Sequence, residues 1–195
     1  TPLGGTVKVT EVRIPVPTGH LFVDHEEADG LLRVIIQHIP LADLMITLTR
    51  DDVNHADGVA IDPNYEGLVA AAVQPSMLGC YLVDPATGSV KESKVAIDRE
   101  RLWGGILATS DIDHPEARRR QRQLWYAGLG FDPDLVPETW WRLYGDATDG
   151  IVPPADLPTT SVPGTLARID LDTMEVAEVH SYEDGAFPSP PTFVP

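Results

Sequence analysis

The stretch Tyr81-Leu82-Val83-Asp84-Pro85-Ala86-Thr87-Gly88-Ser89-Val90 reads as a strand, a turn and a second strand. Its apolar, β-branched flanks favour a pleated surface, and Asp-Pro followed by Thr-Gly breaks the run. A similar unit recurs at Arg168-Ile169-Asp170-Leu171-Asp172-Thr173-Met174-Glu175-Val176, where Asp170, Thr173 and Val176 fall 86 positions after Asp84, Thr87 and Val90. In Asp-x-x-Thr the two side chains can bond turn amides, which sets a hairpin. A hairpin repeated with unlike intervening sequence is the pattern of propeller blades, and it also occurs in sandwiches. The fold class expected is all-β.

Other strands can be placed outward from this unit. Residues 6–16 alternate, with Val7 and Val9, then Val12, Ile14 and Val16, and the change of phase suggests a bulge near Thr10. Pro15 and Pro17 put the end of that strand at a sheet edge. Residues 31–39, rich in Val and Ile, form a hairpin partner for residues 19–24 across an Asp29-Gly30 turn. Residues 101–110 and 120–127 read as strands. Pro137 in a first turn, Glu138 at the positive end and Gly145 as a stop predict one short helix near 137–144. Its Trp140, Trp141, Leu143 and Tyr144 are expected to pack on the sheet. The polar loop from Asp51 to Gly58 lacks calcium-loop spacing.

The stretch with the most chemistry is Gly19-His20-Leu21-Phe22-Val23-Asp24-His25-Glu26-Glu27-Ala28-Asp29-Gly30. On a strand, His20, Phe22, Asp24 and Glu26 share one face, and Leu21, Val23, His25 and Glu27 the other. An imidazole in line with two carboxylates is what a metal ligand and its supporting acceptors need. An acidic solvent-edge strand ending in an Asp-Gly turn has the same spacing, and both readings remain open.

The same residues resemble a segment of the carotenoid cleavage oxygenases, a family that includes stilbene-cleaving dioxygenases. That segment has the form Phe-His-x-x-Asn-Ala-x-Glu-(Glu)-x-x-Gly; here the histidine falls on His20, the glutamate on Glu26 and the glycine on Gly30. Gly19, Val23 and Asp24 depart from it. A second likeness lies at Gly185-Ala186-Phe187-Pro188-Ser189-Pro190-Pro191-Thr192-Phe193-Val194-Pro195, where Pro191, Phe193, Val194 and Pro195 match the family's Glu-Pro-x-Phe-Val-Pro. Pro190 stands where the family has a glutamate that orients an iron-bound histidine.

The resemblance implies an incomplete seven-bladed β-propeller of roughly three blades, with residues 1–195 part of one propeller domain cut at both ends. It implies a non-haem Fe(II) dioxygenase that adds O2 across a conjugated C=C bond of an apocarotenoid or stilbene-like substrate and releases two carbonyl products. His20 would be one of four histidine ligands of Fe(II), with Glu26 supporting the site. His25, His38, His55, His114 and His180 match none of the family's other ligands, which would lie outside this segment. The competing reading is a non-catalytic propeller or sandwich that binds a partner, with a structural His20.

Composition limits the alternatives. A net charge of −16 disfavours a nucleic-acid backbone or an anionic membrane as partner. The basic cluster Arg118, Arg119, Arg120 and Arg122 reads as a solvated edge. The single cysteine, Cys80, excludes an internal disulfide and sits in an apolar setting, as a core residue would. No apolar run spans a bilayer and no signal peptide is visible. The location expected is cytoplasmic, with a peripheral membrane position open to an enzyme of apolar olefins. A hydrolase is disfavoured, since the chain has no Gly-x-Ser-x-Gly elbow and no His-Glu-x-x-His helix.

Overall fold

The computed structural model describes residues 4, 8–24, 28–41, 47–68, 73–110, 120–183, 185, 186 and 188. They form eight strands and one α-helix. Strands β1 (Thr18–Asp24), β2 (Leu32–His38), β3 (Met77–Asp84) and β4 (Ser89–Ile97) make one antiparallel sheet in chain order. Strands β5 (Gly105–Ser110), β6 (Gln123–Gly128), β7 (Thr165–Asp170) and β8 (Glu175–Ser181) make a second, again in chain order. Where roughly three blades were expected, the described residues form two four-stranded meanders.

The alternation read in the sequence decides how the sheets meet. Ile35, Leu78, Cys80 and Ala96 of the first sheet pack against Leu124, Tyr126 and Ile169 of the second. Leu171 and Met174 from the β7–β8 turn join this layer, and Phe22 packs at its border. Cys80 is buried here, as its apolar setting suggested. Burying a Leu, Ile or Phe side chain is worth about 1.5–3 kcal/mol, so this layer is the main force between the sheets.

The two sheets repeat each other in detail. Asp84 Oδ1 accepts from the amides of Ala86 (2.8 Å) and Thr87 (3.3 Å), and Asp170 Oδ1 from those of Asp172 and Thr173, both 2.9 Å. These bonds hold both carboxyls below the ordinary aspartate range. The 86-residue offset also relates features no motif search would find. The ladder shifts register between Leu82 and Val83 in β3, and between Arg168 and Ile169 in β7. The left-handed position of the turn is Gly88 (φ 72°) in one copy and Met174 (φ 60°) in the other.

Several expectations are corrected. Residues 9–17 alternate in exposure, with Val12 and Ile14 packed on Ile36, Tyr81 and Val83, but they join no ladder. Pro15 and Pro17 lack amide donors, so the segment lies across the outer face of the first sheet instead of pairing. With no ladder there, no bulge forms at Thr10; a separate register shift falls between Thr18 and His20 of β1, at Gly19. Strand β5 begins at Gly105, because Asp98 Oδ1 accepts from the amides of Glu100 and Arg101 and turns residues 98–101. The helix α1 (Glu138–Tyr144) is where it was expected, with Pro137 as its N-cap. It packs on Leu41, Val73, Trp103, Phe131 and Val152 rather than on a sheet face, and Leu143 is left 65% exposed. Among the described residues no helix is long and apolar enough to cross a membrane.

Candidate functional site

His20 lies in β1, the edge strand of the first sheet, opposite Gln37 of β2. It is exposed, and no hydrogen bond to its ring occurs among the described residues. The bulge at Gly19 immediately precedes it. A Cβ at Gly19 would come within 2.7 Å of the Ile39 side chain, so glycine lets the bulged strand lie close to residue 39. Bulges turn a side chain away from the regular pleat and are common beside functional sites.

Of the row expected along this face, His20, Phe22 and Asp24 are described, and Glu26 is not. Phe22 is half-buried against the inter-sheet core. Asp24 is buried, accepting from Arg33 Nη2 at 2.7 Å and from the Gln121 amide at 3.0 Å. Its Oδ2 serves a structural cation and a backbone amide, and four residues along a strand, about 13 Å, separate it from His20. His25, Glu26 and Glu27 lie outside the described residues, as do His114 and residues 189–195 with Pro190 and the Phe-Val-Pro end.

The remaining described histidines differ in burial and bonding. His38 ends β2 and is 3% exposed. Its Nδ1 lies 3.3 Å from the Pro17 carbonyl and its Nε2 2.7 Å from the Tyr81 hydroxyl. The consistent assignment has Nδ1–H donating to Pro17 and Tyr81 O–H donating to Nε2, which makes the ring neutral. Burial lowers its pKa, and the carbonyls of Pro17 and Val16 only partly oppose this. His55 Nδ1 is 2.6 Å from Glu138 Oε2, and its ring stacks on Trp141 at 3.9 Å. That contact fastens the 47–66 loop to α1, and the Asn54 side-chain amide, donating to the Pro133 carbonyl at 2.7 Å, fastens it to the turn before the helix. His180 stands edge-on to Tyr182.

Two polar groupings flank the inter-sheet core. At one end Arg33, 1% exposed, reaches Asp24, the Gln121 carbonyl and, at 3.4 Å, Asp172, which also meets Arg120 at 2.8 Å. Arg33 is the lone cation in an apolar strand, and that was the sequence signal for a buried ion pair. At the other end, beside the His20–Gln37 pair, Gln37, Ser76, Gly105 and Tyr126 border a small cavity. No sequence pattern pointed to it, because its residues come from four separate segments.

Among the described residues no group of three or more His, Cys, Asp or Glu side chains could hold a metal. One imidazole does not retain a divalent iron against water, so the described residues do not by themselves make an iron site. The chain matches no protein-family model, no curated protein and no solved structure.

Proposed function

We propose that this chain is a segment of a propeller dioxygenase that cleaves a conjugated C=C bond of an apolar olefin with O2. In this reading the two sheets are successive blades, and His20 is one of four imidazoles holding Fe(II), the others coming from outside the segment. The observation that carries it is the state of His20. It heads an edge strand directly after a bulge, is exposed, and makes no hydrogen bond among the described residues. His38, by contrast, is buried and bonded at both nitrogens. The two meanders in chain order, repeating at 86 residues down to bulge and turn, support the blade arrangement.

The test is metal analysis of the full-length protein. His20→Ala is expected to lose bound iron and olefin cleavage while keeping the wild-type circular dichroism. His180→Ala, on the far strand of the second sheet, is expected to retain both. Equal iron content in the two variants would remove His20 from the site and, with it, most of the case for a dioxygenase.

A further inference from the structure

Tyr126 is 1% exposed, Ser76 6% and Gln37 8%. Among the described residues, Tyr126 OH, Ser76 Oγ and Gln37 Oε1 have no partner with hydrogen-bond geometry, although the two hydroxyls lie near each other. All three residues border the same cavity. Gln37 Nε2 is used, donating to the Gly105 carbonyl, so its Oε1 is the free end of a fixed amide. A Cβ at Gly105 would run into the Tyr126 hydroxyl and lie 2.7 Å from Ser76 Oγ, which places both hydroxyls around one point beside Gly105. Two hydroxyls thus meet beside Gly105 at the end of an otherwise apolar layer, and Gln37 lines the same cavity. Leaving buried polar atoms unpaired is costly, and native proteins seldom do it without a bound partner.

The cavity measures about 20 Å³, room for about one water and too little for an organic ligand. The chemistry of the lining selects among small occupants. Gln37 Oε1 can only accept, whereas the two hydroxyls can donate or accept. A water satisfies all three at once by donating to Gln37 and exchanging hydrogen bonds with Ser76 and Tyr126. A bound cation would face one carbonyl-type oxygen and two hydroxyls, with no carboxylate among the residues lining the cavity.

We propose that this cavity is a specific site for a single buried water, which bridges β2 and the residue before β3 to β6 and ties the two sheets together beside the His20 strand. The inference does not depend on iron binding at His20.

The experiment compares Tyr126→Phe and Ser76→Ala in the full-length protein by urea denaturation, with a high-resolution crystal structure of the wild type. A bridging water predicts that both variants unfold at lower urea, because each removes a bond to the water. It also predicts a density peak within hydrogen-bond distance of all three atoms. If the cavity is empty, Tyr126→Phe deletes an unpaired buried hydroxyl and should raise the midpoint; that result, or absent density, overturns the proposal. Wild-type protein is also unfolded in potassium chloride and in choline chloride at equal ionic strength. Equal midpoints fit water, and a rise specific to potassium would replace the water by a cation and overturn it. Should Tyr126→Phe fail to fold, Ser76→Ala reads the same bridge with a smaller change.

Discussion

Met174 occupies a backbone conformation that its equivalent, Gly88, adopts freely. The left-handed region costs a residue with a Cβ about 1–2 kcal/mol. At Gly88 a Cβ would also run into the Glu11 carbonyl, so the first copy has no alternative to glycine. At residue 174 the strain is offset by burial, since the side chain is 5% exposed within the inter-sheet core. Removing a buried Met side chain costs about 2–5 kcal/mol, which exceeds the strain. Met174→Ala is therefore expected to be clearly destabilised, losing the packing and keeping the strain. Met174→Gly should be the better tolerated by about 1 kcal/mol, reversing the usual order of Ala over Gly. Urea midpoints of the two variants check this, and the ordinary order would mean that residue 174 is not held in the left-handed region. Both Asp-x-x-Thr turns could be read from the chain because their determinants are local, an Asp accepting from amides two and three residues on. The methionine in place of glycine was not readable, because only the core beneath the turn makes it acceptable.

Strand β2 illustrates how an element acquires properties that its residues do not have alone. Its run of Val34, Ile35 and Ile36 made it a strand from the sequence, but its ends are polar and buried. At its C-terminal end His38 is held neutral between the Pro17 carbonyl and the Tyr81 hydroxyl. Gly79 makes room for this pair, since a Cβ there would lie 2.6 Å from His38 Nε2. The His38 pKa is lowered in the fold from the ordinary 6.5, so below that pH the unfolded chain binds more protons than the native one. Stability should be flat above pH 6.5 and fall as the pH drops from 6.5 through the depressed native value. His38→Gln should remove that slope. Denaturant unfolding at pH 7.5 and 5.5 measures it, and a slope that persists in the variant would assign the titration to another group. Helix α1 shows the converse. Seven residues are too few for a stable isolated helix, so it persists because Trp140 is fully buried and the loop carrying Asp52 and His55 is bonded to it.

At the scale of the whole molecule, two sheets are joined by an apolar layer with an ionic contact at one end and a polar cavity at the other. The ionic contact is the more sensitive part. Arg33 and Asp24 are both buried, and truncating one member of such a pair costs about 3–5 kcal/mol. Arg33→Ala should show a loss of that size in urea unfolding. The double variant Arg33→Met with Asp24→Leu, which removes both charges, should recover much of it. If Arg33→Ala costs under about 1 kcal/mol, the pair is solvated and does not join the sheets as described.

The sequence by itself determined the all-β class, the strands of both central hairpins, the two Asp-x-x-Thr turns, the position of the one helix and the core character of Cys80. These follow from periods of two and from side chains acting on their own turns, which short stretches encode. Only the tertiary structure decided that residues 8–17 lie across a sheet without pairing, because that depends on a face being free to receive them. It alone turned Asp24 from a candidate metal neighbour into the partner of Arg33. It alone left His20 exposed while fixing His38 between Pro17 and Tyr81. Each of these is a choice among partners distant in the chain, and the residues that make the choice carry no mark of it in their own neighbourhood.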